Sequence, residues 1–271
     1  MSRLESMFTQ LRQQDRAALI PFMTAGDPSL SGTVPLLHAL VAAGADAIEL
    51  GMPFSDPMAD GPSIQRASER ALAKGVKLRM VLEWVRAFRT SNQHTPIILM
   101  GYLNPIETMG MAVFAESAAA AGVDGVIIVD LTPEEGREAS ATLKDRGIDP
   151  IFLLAPTSDG ARVAAVRELG GGFVYYVSLR GITGAAQADW DEVLARVGVL
   201  QQELTMPVAI GFGIRNAETV ARVGKGADAV VVGSALVEQL ADCPDDQDAL
   251  AAASRFIQPL AEAIKHARSK R

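Results

Sequence analysis

The sequence has very few of the side chains that build disulfides and metal centres. Its single cysteine, Cys243, cannot form an internal disulfide, which is typical of proteins from a reducing cytoplasm. The three histidines lie in helical or loop segments away from the ends of the predicted strands: His38, His94 and His266. We therefore expect neither a disulfide framework, nor a histidine-based metal site, nor a cysteine nucleophile.

Concentrated positive charge and long apolar runs are absent as well. The formal net charge is −7, and the arginines and lysines are scattered, which argues against a nucleic-acid or anionic-membrane partner. No apolar run approaches the roughly 18 residues that a membrane span needs. Residues 1–15 are charged and lack the apolar core of a signal peptide. These absences predict a soluble, cytoplasmic protein.

What the sequence does contain is eight short apolar runs, each followed by a longer segment with helical spacing. The runs lack polar alternation, as expected of parallel strands that are covered on both faces. They span residues 18–23, 47–51, 96–101, 125–130, 150–154, 173–178, 207–211 and 227–233. Eight such units fit a closed (β/α)8 TIM barrel better than an open doubly wound sheet, since no Gly-x-Gly-x-x-Gly follows the first run.

We accordingly predict an α/β protein with one TIM-barrel catalytic domain over residues 1–271 and an extra N-terminal helix, residues 1–14, that caps the barrel bottom. Three of the connecting helices are predicted at residues 133–146, 216–223 and 248–267, the second with Asn216 as its N-cap. Three short segments have similar sequences, each with Gly-x-Asp, and each is predicted to end a helix at its glycine and to lead into the next strand. They occupy residues 43–47, 121–125 and 225–229.

Glu49 is an acidic residue inside the apolar run Ile48-Glu49-Leu50. An ionised carboxylate there is costly unless it is paired or protonated. One interpretation is a structural glutamate that is satisfied by a neighbouring hydroxyl or amide. The other, which we favour, is a glutamate whose pKa is raised by burial until it can act as acid and base near neutrality.

Asp60 lies in the loop that follows this run, between the prolines of residues 53–62. Aspartates such as Asp56 and Asp60 more often form turns or cap helices than catalyse reactions. Here prolines on both sides stiffen the loop above Glu49. Because barrel enzymes place their chemistry at the C-terminal ends of the strands, this loop predicts a second acidic group in the site.

Glycines follow the last two runs, in Gly211-Phe212-Gly213-Ile214 and Gly233-Ser234-Ala235. Tight turns alone would explain them. Glycines here also let backbone N–H groups approach a ligand, and a helix that begins at Ser234 points its positive end the same way. Since this is the usual phosphate position of the fold, we predict a phosphate cradle.

Other polar positions narrow the chemistry. Asp130 and Tyr175 lie on strands, although Tyr175 fits plain core packing equally well. Residues 179–189 form a loop of small residues that is either a mobile lid or a surface connection. No lysine occupies the C-terminal end of a strand, which disfavours a Schiff-base aldolase. The remaining possibility is acid–base chemistry, carried out by carboxylates on a phosphorylated substrate.

Residues 49–65, E-L-G-M-P-F-S-D-P-M-A-D-G-P-S-I-Q, closely resemble the signature of the tryptophan synthase alpha subunit family. Residues 21–28, residues 101–105 and the two glycine elements are similar to it too, in order along essentially the whole chain. The resemblance implies a lyase of L-tryptophan biosynthesis that reversibly cleaves indole-3-glycerol phosphate to indole and glyceraldehyde 3-phosphate. That retro-aldol reaction needs no metal and no organic cofactor in this chain.

The resemblance also implies a role for each matching position. Glu49 would protonate C3 of the indole ring and take the proton of the glycerol hydroxyl, Asp60 would bind the indole N–H and stabilise the positive charge, and Tyr175 would orient the site. The substrate phosphate would be bound by Gly184, Gly213, Gly233 and Ser234. The indole pocket would consist of Phe22, Ile64, Met100, Tyr102, Ile127, Val129 and Phe212.

A lid with Arg180 and Thr183 is implied as well, with Thr183 closing onto Asp60. Some family members place the arginine directly after the lid serine, whereas this sequence reads Ser178-Leu179-Arg180, with the arginine one position further along. The family works as an alpha2beta2 heterotetramer in which indole passes through a tunnel to a beta subunit that holds pyridoxal phosphate. The resemblance implies that interface at Pro53, Asp56 and Asn104.

Two other functions stay open at this point. A phosphate-binding barrel that acts on a phosphorylated ribose derivative would share the glycine cradle, but it has no need for the loop of residues 49–65. A non-catalytic subunit that only activates a partner has no reason to keep Glu49 buried.

Overall fold

The computed structural model describes residues 1–177, 189–211 and 213–268. Within them, every strand pair of the sheet is parallel, and the strand order is β5-β4-β3-β2-β1-β9-β8-β7-β6. The strands are β1 Ala18–Thr24, β2 Ile48–Gly51, β3 Ile97–Gly101, β4 Gly125–Ile128, β5 Asp149–Ile151, β6 Leu153–Leu154, β7 Val174–Val177, β8 Val208–Gly211 and β9 Ala229–Val232.

The two ends of this strand order are consecutive in the chain. Only Phe152 separates β5 from β6, and its carbonyl accepts a hydrogen bond from the Tyr175 amide at 3.0 Å. β5 pairs with β4 while β6 pairs with β7, so the fifth predicted run joins both ends of the sheet. The sheet therefore closes nearly into a barrel, and the predicted (β/α)8 fold is confirmed, with its fifth strand divided in two.

Helices surround the strands in the described part of the chain. They are α1 Arg3–Gln13, α2 Thr33–Ala42, α3 Pro62–Ala73, α4 Leu78–Arg89, α5 Leu103–Met109, α6 Met111–Ala121, α7 Arg137–Lys144, α8 Gly160–Leu169, α9 Trp190–Glu203, α10 Ala217–Gly224, α11 Ser234–Ala241 and α12 Asp246–Lys265. The Asn216 N-cap is confirmed, because its side chain accepts the Thr219 amide at 2.9 Å. The helix predicted at 133–146 begins only at Arg137, since a turn between Thr132 and Glu135 precedes it.

The barrel interior is filled by alternate strand residues such as Ile20, Ile98 and Ala209. The apolar face of α1 joins this interior cluster, and the ring of Phe8 lies 5.9 Å from that of Phe173. The prediction that an N-terminal helix caps the barrel is therefore confirmed. A second and larger cluster packs the outer strand faces against the surrounding helices.

The three similar segments each place an aspartate just before a strand, at equivalent positions in three of the helix–strand connections. Each carboxylate accepts a backbone N–H of the preceding strand in the sheet: Leu19 to Asp46 at 2.8 Å, Ile97 to Asp124 at 2.8 Å and Val208 to Asp228 at 2.9 Å. These bonds tie neighbouring strands together at their N-terminal ends. The opposite end of the barrel is left for the functional site.

Candidate active site

A cavity of about 340 Å³ opens at the C-terminal ends of the strands. The sequence predicted twelve site residues that the structure describes, and ten of them line this cavity. They are Phe22, Glu49, Asp60, Ile64, Met100, Val129, Tyr175, Gly213, Gly233 and Ser234. Most of the sequence-predicted site is thus brought together in one place.

Glu49 lies on β2, between Phe22 of β1 and Ile98 of β3. Its side chain is 1% exposed, and among the described residues its Oε2 atom has no hydrogen-bond partner. Burial, and secondly the negative charge of Asp60, raises the pKa of Glu49 to about 8. The structural interpretation of Glu49 required a satisfying partner for the carboxylate, and the described residues supply none to Oε2.

Asp60 stands on the loop between β2 and α3. The side-chain amide of Gln65 donates to the carbonyls of Asp60 at 2.9 Å and Pro57 at 3.3 Å, which holds this loop in shape. Burial raises the pKa of Asp60 to about 6, and a hydrogen bond with Tyr102 opposes that rise. The Tyr102 hydroxyl also accepts the Ala59 amide at 3.0 Å, so it anchors the loop beside the carboxylate.

These two pKa values put the carboxyl groups in opposite states near neutral pH. Glu49 retains its proton at pH 7, whereas Asp60 is mostly ionised. Two carboxyl groups whose environments separate their pKa values can serve as an acid and as a charge stabiliser in one site.

Tyr175 projects from β7 into the same cavity and is buried. Burial, followed by the charges of Glu49 and Asp60, raises its pKa well above the usual value, so the hydroxyl keeps its proton. A Cβ atom at Gly211 would lie 1.9 Å from the Tyr175 oxygen. Glycine at 211 is therefore what makes room for the tyrosine.

The glycine-rich end of the cavity has an open backbone. Gly213 has a φ of +74°, and a Cβ placed there would meet nothing within 4 Å, so the turn requires glycine and also exposes its backbone. Gly233 precedes α11, whose first residue is Ser234. A Cβ at Gly61, the N-cap of α3, would lie 3.9 Å from the Ser234 oxygen, so the N-termini of two helices converge here. Such ends favour an anion.

Two predicted pocket residues lie elsewhere. Tyr102 lines a smaller adjoining cavity with Asp60, and Ile127 is fully buried in the interior cluster. Sequence reasoning missed Leu153 and Val177, which line the main cavity. Both lie near the C-terminal end of a predicted run, so their position along the strand was a usable signal.

Several predicted residues lie outside the described residues: Arg180, Thr183, Gly184 and Phe212. The side chains of Asp56 and Asn104 are exposed, and Asp130 accepts the Leu103 amide at 2.8 Å. In the described ranges no group of histidine, cysteine and acidic residues could hold a metal ion. In those ranges no helix is long and apolar enough to cross a membrane.

Known proteins resemble this chain over nearly its whole length. The family model described as "Tryptophan synthase alpha chain" matches residues 8–265. Two curated tryptophan synthase alpha chains are 77% identical over 265 residues (Acidithiobacillus ferrooxidans; 98% of this chain and 97% of the relative) and 57% identical over 264 residues (Cupriavidus pinatubonensis; 97% and 99%). A solved structure of the alpha subunit from Legionella pneumophila str. Paris has a TM-score of 0.91 at 40% identity and covers 97% of this chain and 98% of its own.

Proposed function

This chain belongs to the tryptophan synthase alpha chain family, and we propose that Glu49 and Asp60 divide the acid–base work of the family's reaction between them. The chain is a lyase of tryptophan biosynthesis that cleaves indole-3-glycerol phosphate to indole and glyceraldehyde 3-phosphate. The roles of individual residues are our proposal. The observation that carries it is a buried glutamate of raised pKa that faces one cavity with an ionised aspartate.

Glu49 transfers the protons. Its carboxylic acid, protonated near neutral pH, donates to C3 of the indole ring and becomes a carboxylate. That carboxylate then takes the proton of the glycerol hydroxyl on the carbon next to C3. The bond from this carbon to C3 breaks, its electron pair returns to the ring, and the oxygen becomes the carbonyl of the aldehyde. Glu49 ends the cycle protonated, so no proton is gained or lost.

Asp60 stabilises the intermediate. Protonation at C3 leaves a positive charge on the indole nitrogen, and the Asp60 carboxylate accepts the hydrogen bond of that N–H. A carboxylate already fixed by its loop costs little reorganisation when this charge develops. Tyr175, which is buried on β7 and keeps its proton, orients the substrate beside Glu49.

The remaining walls bind the two halves of the substrate. The N–H groups at Gly213, Gly233 and Ser234 bind the phosphate, together with Gly184, which lies outside the described residues. Apolar side chains enclose the indole ring: Phe22, Ile64, Met100, Val129, Leu153 and Val177. Tyr102 and Ile127 lie behind this wall. Phe212, which lies outside the described residues, completes the indole pocket in this proposal. In this proposal Arg180 and Thr183, which lie outside the described residues, belong to the lid.

An alpha chain of tryptophan synthase has a beta-chain partner. We propose that the two assemble in the cytoplasm as an alpha2beta2 heterotetramer and that the interface includes Pro53, Asp56 and Asn104. Two of these side chains are exposed at the barrel face where the cavity opens. In this proposal residues 1–271 act as one catalytic domain without a cofactor of its own, and pyridoxal phosphate belongs to the beta chain.

The test is indole release from indole-3-glycerol phosphate by the purified chain, alone and with a beta subunit. We expect release in both cases and none from Glu49→Gln, which keeps the side-chain shape but removes the titratable proton. Folding of the variant is checked by circular dichroism and thermal unfolding. Near-normal turnover by folded Glu49→Gln would overturn the acid–base assignment. No release from the wild type with the partner present would instead support a different phosphate-binding barrel activity.

A further inference from the structure

The charges around the cavity are unevenly distributed. Among the described residues that line it, two are carboxylic acids, Glu49 and Asp60, and one is a cation, Arg215. The cation lies two residues after Gly213, in the wall that also contains Gly233 and Ser234. A phosphate ester carries negative charge, so this is the lining side chain whose charge attracts that part of the substrate.

Arg215 is held in place from two further elements. Its Nη2 donates to Oε2 of Glu238 on α11, and Oε1 of the same carboxylate accepts the Ser63 hydroxyl of α3 at 2.7 Å. Ser63 is buried, so this anchor is part of the packed structure. Arg215 is therefore fixed across the two helices whose N-terminal ends converge on the cradle.

The ion pair leaves the guanidinium with capacity for a second anion. A guanidinium has five N–H donors, and the contact with Glu238 uses Nη2. The Arg215 side chain is 61% exposed, so the remaining donors are accessible to a ligand that enters the cavity. A planar guanidinium matches phosphate geometry better than an ammonium group does.

We propose that Arg215 is a further binding residue for the substrate phosphate, positioned by Glu238 and Ser63. The inference rests on the proposed phosphate cradle and adds to it the one side-chain cation of the described cavity wall. The backbone N–H groups orient the phosphate, while Arg215 attracts and partly neutralises it. Its contribution falls on substrate affinity and leaves the proton transfers at Glu49 unchanged.

The experiment compares Arg215→Gln and Arg215→Lys with a matched control, Arg222→Gln. Arg222 is a half-exposed arginine of α10 paired with Asp191, outside the cavity lining, so its variant removes the same charge and one exposed ion pair. Three quantities are measured: kcat and KM for indole-3-glycerol phosphate, the dissociation constant of glycerol 3-phosphate by calorimetry, and that of indole, which has no phosphate.

For Arg215→Gln we expect KM and the dissociation constant of glycerol 3-phosphate to rise by about three- to fivefold, at the upper end of what a partly exposed ion pair contributes. We expect kcat and the indole constant to stay within about twofold, a limit set by the small effect of surface substitutions. Arg215→Lys should recover only part of the phosphate affinity, because it keeps the positive charge but not the planar guanidinium, and Arg222→Gln should match the wild type.

Unchanged glycerol 3-phosphate binding in Arg215→Gln would overturn the proposal. An equal loss of indole affinity would overturn it too, because that result would mean a distorted cavity. If the wild-type chain released no indole with its partner present, the proposed function would fail, and the calorimetric comparison would still decide whether Arg215 binds phosphate.

Discussion

The carboxyl groups of Glu49 and Asp60 face the same cavity, and the negative charge of Asp60 helps to raise the pKa of Glu49. Burial is the larger cause for both residues, but Asp60 is less buried and is hydrogen-bonded to Tyr102. The pair therefore loses its protons in order, Asp60 first. That order is what the chemistry needs, since one group has to donate a proton while the other carries a charge.

Asp60→Asn should have two separable effects. Loss of the carboxylate removes the charge that stabilises the protonated indole, and we expect a loss of transition-state stabilisation of roughly 3–4 kcal/mol in kcat/KM. It also removes one cause of the raised Glu49 pKa, so that pKa should fall below about 8. Steady-state kinetics over a pH series measures both.

The control for this variant is Glu69→Gln, an exposed carboxylate on α3 that does not line the cavity. It should leave both the turnover and the pH profile near those of the wild type. Wild-type kcat/KM in Asp60→Asn would count against Asp60 as the charge stabiliser.

The wild-type pH profile should be bell-shaped. Activity requires ionised Asp60 and protonated Glu49, so kcat/KM should rise through about pH 6 and fall through about pH 8. Indole release measured between pH 5 and pH 9 tests this. The acidic limb should disappear in Asp60→Asn. A profile that is flat across pH 8 would contradict the role of Glu49 as the acid.

How far the sequence predicted this site depends on the kind of contact. Glu49 and Asp60 were predictable because a carboxylate in an apolar strand, followed by a stiff acidic loop, is informative without any tertiary structure. Arg215 and Glu238 were not, because their pairing depends on how α11 packs beside the loop after β8. Helix packing of that kind leaves no pattern in the spacing of residues.

Strand depth was the other feature that the sequence could not settle. Ile127 lies on β4, and Val129, two residues further and just past the end of this strand, packs against the same interior cluster. Val129 lines the cavity, whereas Ile127 lies deeper, paired with Met100 and Ile151 in the interior. Which layer a residue occupies depends on the tilt of the strands in the closed barrel. The periodicity of apolar residues predicts which face of a strand a residue lies on, but it does not predict how deep in the barrel that residue lies.

Glu49→Gln should stabilise the fold in a pH-dependent way. The raised pKa means that the folded protein keeps a proton between about pH 4.5 and about pH 8, while the unfolded chain has lost it. The free energy of unfolding contributed by Glu49 therefore falls as pH rises through this window, by at most roughly 1.4 kcal/mol per pH unit. Glutamine has no such dependence, so the advantage of the variant should grow with pH.

Urea unfolding of both proteins at pH 5 and pH 7.5 provides the measurement. The difference between them should be small at pH 5 and larger at pH 7.5. An advantage that stays constant between these two pH values would mean that Glu49 has an ordinary pKa in the folded protein.

Substitution of Asp124, at the opposite end of the barrel from the cavity, should lower the free energy of unfolding and leave the catalytic reaction unchanged. It accepts hydrogen bonds from Arg89 at 2.6 Å, Arg3 at 2.9 Å and the Ile97 amide at 2.8 Å. Both Asp124 and Arg89 are buried, so Asp124→Ala leaves a buried guanidinium without its carboxylate and should lower the free energy of unfolding by about 3–5 kcal/mol.

The matched control is Glu168→Gln, which breaks the ion pair between Glu168 and Arg137, whose side chains are 59% and 68% exposed. An exposed pair contributes below about 1 kcal/mol, so this variant should unfold almost like the wild type. Urea titrations at one pH compare the two losses, and indole release at low temperature confirms that the Asp124→Ala site still works where the protein is folded. Equal losses in the two variants would show that the buried pair stabilises the barrel no more than a surface pair does.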